Sequence, residues 1–188
     1  MEKLKGALRF GGILSEQSIT YITESVQERH LKGNEHFLPF GSVAHEIMFV
    51  NEGFLRSYDV TTGGEEVTKY FVRPHQFYAD LESYYNLSPC SNAIQAMTDV
   101  HLFVFNRMVW NKLNEEIPNF HLYTKTMIEA ALLHKIKDND FLNYGTAKNK
   151  YQELQKRYPQ IVLHVPQQYI ASYLKITPQS LSRIRKEA

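Results

Sequence analysis

The rhythm of apolar and polar positions changes twice along this chain. Residues 15–30, SEQSITYITESVQERH, have the texture of a short amphipathic helix. Ser15 is suited to cap it, with Ser18 standing where a capping box would carry Glu or Gln. From about 31 to 106 the texture is different. Short apolar or aromatic runs (HFLPF, EIMFV, GFLRSYDV, EVTKYFV, HLFVF) alternate with turn signals at Gly41, Asn51-Glu52-Gly53, Gly63-Gly64, Pro74 and Ser88-Pro89. Strand-length runs at this spacing predict an antiparallel barrel or sandwich.

Past Asn106 the β texture stops. Residues 107–116 predict a short helix, and Pro118 opens a longer one reaching about Lys137. Its apolar positions, Phe120, Tyr123, Met127, Ala130, Ala131, Leu132 and Leu133, cover more than one face. The surplus face is either core of this chain or a seam with a second copy; the pattern is compatible with both. Asp138-Asn139-Asp140 and Asn143-Tyr144-Gly145 have the composition of a hinge. Thr146 can cap a helix through about Tyr158, ended by Pro159, and a short apolar run from Ile161 to Val165 follows.

The last segment, VPQQYIASYLKITPQSLSRIRKEA, divides at Lys175-Ile176. Residues 167–174 place Ile170, Ala171 and Leu174 on one helical face. Thr177 is a good N-cap and Pro178 suits the first helical position, where its missing N–H costs nothing. Leu181 and Ile184 then face the preceding helix, while Gln179, Ser182, Arg183 and Lys186 project from the opposite side. Two short helices, a tight turn and a polar, basic outer face make a helix-turn-helix. Arg pairs bidentately with guanine and Gln with adenine, whereas Ser180, Arg185 and Lys186 are placed for phosphate. The same pattern also describes a helical hairpin with a solvated basic face.

Composition adds bounds. The 188 residues include 43% apolar and 22% charged positions, the mixture of a soluble globular protein. No run approaches a membrane span, and residues 1–14 lack the features of a secretory signal. Cys90 is the single cysteine, which excludes an intrachain disulfide and a four-thiolate cluster and points to a reducing cytoplasm. The eight histidines include no HxH or HxxxH pair, so linear spacing predicts no metal site. No triad or phosphate-loop spacing is present, and no enzyme is expected. The net charge of +1 conceals an asymmetry. Residues 139–188 hold eight Lys/Arg against three Asp/Glu, and the rest hold thirteen against seventeen. A cationic last third suggests a polyanionic partner.

Taken together, the leading helix, the β region, the long helix, the lead-in KNKYQELQKRYP and the string IASYLKITPQSLSRIRK resemble the Crp/Fnr (cyclic-AMP receptor protein-like) family of transcription regulators. The short Bacteroidetes-type members are the most similar in pattern. The resemblance implies an α+β fold. An N-terminal antiparallel β-roll (cyclic-nucleotide-binding-like, a double-stranded β-helix) with flanking helices would occupy 1–117. A long dimerisation helix would follow over 118–138, with Phe120, Tyr123, Met127 and Ala131 in the seam, and a helix-turn-helix domain would fill 139–188. It also implies double-stranded DNA, a second copy of the chain and RNA polymerase as partners, with no membrane. Gln179, Ser180, Ser182, Arg183, Arg185, Lys186 and Lys175 become the DNA-binding set. Lys175 replaces the glycine that usually takes a left-handed conformation between the two helices, at about 1–2 kcal/mol if it does the same.

The family's phosphate-binding cassette reads Gly-Glu-Leu and, nine residues beyond the Leu, Arg-Ser-Ala. In FYADLESYYNLSPCSNA these become Ala79-Asp80-Leu81 and Cys90-Ser91-Asn92. The arginine that takes the cyclic phosphate is replaced by cysteine, removing a charge-assisted bidentate partner. The adenine-contacting Thr-Ser pair of the long helix falls on Lys135-Ile136. Both departures argue against cyclic AMP and leave another small-molecule effector open. A pocket of Phe77, Tyr78, Asp80, Leu81, Tyr84, Cys90, Ser91 and Asn92 would persist if the cassette fold is kept; otherwise those aromatics fill the barrel. Cys90 as a redox sensor and haem at His75 or Cys90 have no supporting neighbours in sequence. The competing function is a ligand-binding or protein-interaction module whose helical tail does not read DNA.

Overall fold

The computed structural model describes residues 1–187. In chain order its elements are α1 (Glu2–Leu8), α2 (Glu16–Glu24), β1 (Gln27–Leu31), β2 (His36–Leu38), β3 (Glu46–Glu52), β4 (Leu55–Val60), β5 (Glu66–Val72), β6 (Phe77–Tyr78), α3 (Leu81–Asn86), β7 (Ala93–Ala96) and β8 (Val100–Asn106). Six further helices follow: α4 (Arg107–Glu116), α5 (Phe120–Asn143), α6 (Ala147–Arg157), α7 (Pro159–His164), α8 (Gln167–Leu174) and α9 (Pro178–Lys186). The strands form two antiparallel four-stranded sheets, ordered β1-β8-β3-β6 and β2-β7-β4-β5.

Three apolar clusters explain why the strand sequences do not simply alternate. Met48, Val50, Leu55, Val72, Ile94, Leu102 and Val104 meet between the sheets. The opposite face of β3 and β8 presents Phe49, Phe103 and Phe105 to Leu4, Leu8, Ile19, Ile22, Leu113, Phe120 and Tyr123 of the helices. Strands covered on both faces read as continuous apolar runs, as EIMFV and HLFVF do. The third cluster joins Phe71 of β5, with Phe54 and Met97 at the ends of β4 and β7, to the buried faces of α6–α9. At the turn after β3, a Cβ on Gly53 would overlap the Asp99 carbonyl oxygen, and φ is +86°. Only glycine fits there.

Several elements differ from the sequence expectation. The helix expected over 15–30 stops at Glu24, and its last residues form β1, because Gln27–Leu31 find the edge of β8 as a hydrogen-bonding partner. Helix α1 has too little apolar pattern to announce itself in sequence: Leu4 and Leu8 supply its buried positions. The run after Tyr158 is helix α7, with Pro159 in its first turn. The expected hinge at Asp138-Asn139-Asp140 is helical, and α5 continues to Asn143. Asp138 is buried there, accepting from the Tyr158 hydroxyl at 2.5 Å with Arg157 at 3.6 Å. A carboxylate supplied with these partners needs no solvated turn.

The seam residues also divide. Phe120 and Tyr123 are buried in this chain's own core, and Met127 packs beside them. The exposed apolar side of α5 consists of Leu122, Ile128, Leu132, Leu133 and Ile136, with Ala131 also exposed.

Candidate functional site

Helices α8 and α9 are joined by a turn whose geometry is fixed by local chemistry. Lys175 is left-handed at φ 57°, ψ 44°. Its N–H donates to Ser172 O at 3.1 Å, and that of Ile176 to Ala171 O at 3.0 Å. This is a Schellman ending, with Ile176 supplying its apolar contact. Thr177 Oγ1 accepts from Ser180 N at 3.1 Å and caps α9, with Pro178 following. Inside, Leu181 and Ile184 pack on Ile170, Ala171 and Leu174. Outside, Gln179, Ser182, Arg183, Arg185 and Lys186 are all exposed on one short helix. Cations in the last turn also suit the negative end of the helix dipole.

Two members of the expected DNA-binding set are engaged elsewhere. The Ser180 hydroxyl is bonded to Thr177 Oγ1 at 2.9 Å, and Lys175 Nζ donates to Asn143 Oδ1 at 3.0 Å, tying the turn to the end of α5.

The two-helix unit is seated on the β-roll through β5, an edge strand. Thr68 N, an edge amide, donates to Ser172 Oγ at 2.9 Å. Phe71 meets Tyr173 at 4.9 Å between ring centroids, and Phe54 stacks on His164 at 5.6 Å. Arg56, 1% exposed, lies between Tyr58 of β4 and Tyr169 of α8, with its guanidinium carbon 4.0 and 3.8 Å from the ring centroids. It donates to Gln95 Oε1 through Nε at 3.0 Å and Nη2 at 2.7 Å, and pairs with Glu66. Nothing in local sequence pattern singled out Arg56; apart from Tyr58 on its own strand, its partners come from three other elements, β5, β7 and α8.

The cassette folds into α3, but its residues do not converge on one cavity. Asp80 caps α3, accepting from Ser83 N at 3.0 Å. Cys90 is buried, its thiol donating to Pro39 O at 3.3 Å. Tyr84 is buried as well, while Leu81 and Ser91 face solvent. Asn92 bonds only its neighbour, donating to Ser91 Oγ at 3.3 Å. Phe77 packs on Phe49 at 5.0 Å, and Tyr78 stacks on Tyr70 at 5.7 Å. Burial pushes the Tyr78 phenol up to about 12, so it stays protonated at neutral pH. The eight residues thus take separate partners, some in packing and some at the surface. Cys90, where the family carries its arginine, supplies a neutral thiol bonded to the Pro39 carbonyl.

Two other concavities exist. One of about 380 Å³ lies between β2, β3 and β7 and shares only Asp80 with the expected set. A groove of about 540 Å³ runs between α3, α4 and α5, lined by Tyr84, Tyr85, Arg107, Trp110, His121 and Ile128 among others. Separately, Glu28, His30 and His101 bring three potential ligand atoms within 4.8 Å of one another, a cluster that spacing along the chain could not reveal.

No family model matches the chain, and no curated protein does. Solved structures do. FixK2 from Bradyrhizobium japonicum superposes with a TM-score of 0.71 at 18% identity, covering 86% of this chain and 83% of that one. A protein from Eubacterium rectale described as a Crp/Fnr-family transcriptional regulator gives 0.71 at 14% identity, over 97% and 87%. The fold is that of the Crp/Fnr regulators. The c-di-GMP-responsive regulator CLP of Xanthomonas campestris shares it too, at a TM-score of 0.68 and 11% identity, over 92% of this chain and 91% of that one. The likeness at these identities is one of architecture. It accounts for the two-sheet roll, the long α5 and the terminal helix pair, and it assigns no ligand. No helix among the described residues is long and apolar enough to cross a membrane.

Proposed function

We propose that this chain is a sequence-specific DNA-binding transcription regulator of Crp/Fnr type, acting as a homodimer. The observation that carries the reading is α9: a capped helix buried through Leu181 and Ile184, with Gln179, Ser182, Arg183 and Lys186 free on the other side. Gln179 and Arg183 lie one turn apart and would read base edges, each good bidentate pair being worth roughly 1–3 kcal/mol. Arg185 and Lys186 would hold phosphates. The exposed Leu132, Leu133 and Ile136 of α5 are the apolar surface for a parallel partner helix. Two copies would then face half-sites about 34–36 Å apart.

The β-roll is the regulatory part in this reading, and cyclic AMP is not its effector. The buried Cys90 offers a cyclic phosphate no positive charge, and Asp80 is already committed to capping α3. No catalytic step is required of any residue. A selection of bound duplexes from a random pool tests the proposal. Enrichment of a palindromic site supports it, and recovery of unenriched DNA at every round rejects it.

A further inference from the structure

The cluster of Glu28, His30 and His101 is the feature that neither the fold nor the DNA-reading proposal uses. Strand alternation puts Glu28 and His30 on one face of β1, and the antiparallel register sets His30 directly opposite His101 of β8. The two imidazoles are stacked with centroids 4.5 Å apart and planes 10° from parallel. His101 Nε2 lies 3.7 Å from Glu28 Oε2. That nitrogen is buried without a hydrogen-bond partner, and so is Asn51 Oδ1 behind it, on a side chain only 8% exposed. Asn51 Nδ2 stands 3.1 Å from His101 Nδ1.

A half-turn of the Asn51 amide places its orphaned oxygen against His101 Nδ1 as acceptor. In that orientation the ring proton sits on Nδ1 and the Nε2 lone pair, facing Glu28, is open to a cation, whereas with Asn51 Nδ2 against Nδ1 the proton sits on Nε2. An imidazole backed by a buried amide that can accept its Nδ1 proton is the outer-shell arrangement of metal-binding histidines.

From this juxtaposition we infer that Glu28, His30 and His101 form a binding site for a divalent transition ion of the Zn²⁺, Co²⁺ or Ni²⁺ class. Two imidazoles and one carboxylate favour these borderline ions over Ca²⁺ or Mg²⁺, which take oxygen ligands. Three protein ligands leave at least one coordination position to water. Stacked rings cannot aim both lone pairs at one ion, so His30 must turn out of the stack as the ion enters. His30 and Glu28 are exposed and free to move, whereas His101 is the fixed member.

The test is titration of the full chain with Zn²⁺ alone, followed by calorimetry, with Co²⁺ absorption as a second readout. One ion per chain is expected. His30→Ala and Glu28→Gln, both at exposed positions, should each weaken binding at least about tenfold. His75→Asn, outside the cluster, should leave it unchanged. Absence of uptake by the wild type, or equal affinity in His30→Ala and the wild type, overturns the assignment. No DNA is present in this experiment, so its failure and that of the DNA-reading proposal are distinguishable.

Discussion

Replacing Arg56 by Met perturbs the joint between the β-roll and the helix-turn-helix more directly than any other single change. Gln95 Oε1 loses two donors and is left in a buried site, which costs about 1–3 kcal/mol. Two cation–π contacts disappear, each worth about 0.5–2 kcal/mol when desolvated. The ion pair adds little, since Glu66 is 45% exposed and rehydrates; its share is at most about 1 kcal/mol. Opposing these losses, Arg56 Nη1 has no partner, so removing it relieves an unsatisfied buried group. The net expectation is about 2–3 kcal/mol lower stability. Stability alone does not show that the contact crosses between units. A double-mutant cycle of Arg56→Met with Tyr169→Leu, followed by urea unfolding, isolates that term. A coupling energy of about 1–2 kcal/mol is expected. Additivity within about 0.3 kcal/mol would refute the claim that Arg56 latches α8 to the roll.

Other consequences follow from the same geometry. If the proposed homodimer forms through α5, glutamates at Leu132 and Ile136 should convert it to monomers in sedimentation; an undiminished dimer would place the interface elsewhere, and a monomeric wild type would overturn the seam. Thr177→Ala should lower stability by about 1 kcal/mol in chemical unfolding, with Thr177→Ser restoring it. Equal stability of all three proteins would show that the cap is not maintained in solution. Burial raises the phenol pKa values of Tyr78, Tyr123, Tyr158 and Tyr173 above 10.0, so the folded chain keeps protons that the unfolded chain releases. Their contribution is complete below pH 10 and is lost as pH rises through about 12 for Tyr78. Unfolding free energies measured across that window should fall, and a flat profile would contradict the burial of these rings.

Elements specified by local chemistry were legible in the sequence. Thr177-Pro178, Thr146 and Ser15 announce helix starts through their own side chains, and each caps as its identity suggests. The left-handed Lys175 was suggested only by the resemblance, which puts a glycine at that turn, and the conformation is adopted here by a lysine. Features decided by distant partners were not legible. Asp138 has the composition of a hinge residue, and only Tyr158 and Arg157 make it a helical anchor. Phe120 and Tyr123 share the apolar character of Leu132 and Ile136, yet the aromatic surface of β3 and β8 claims the first pair and leaves the second exposed. The cassette residues kept their order in sequence, but their contacts are set by distant partners: Phe77 packs on Phe49, Tyr78 on Tyr70, and the Cys90 thiol bonds Pro39 O. Glu28, His30 and His101 required the β1–β8 register before they could be seen as one group.

The central claim is that the outer face of α9 reads DNA, and its most direct measurement is equilibrium binding of a selected duplex against salt. Wild type should weaken steeply as salt rises, because Lys and Arg displace condensed counterions. Lys186→Ala should lower affinity for all sequences alike and reduce the salt slope by about 1, whereas Arg183→Ala should relax preference at one base position by roughly 1–3 kcal/mol. If both variants keep wild-type affinity, slope and base preference, α9 is not the reading head.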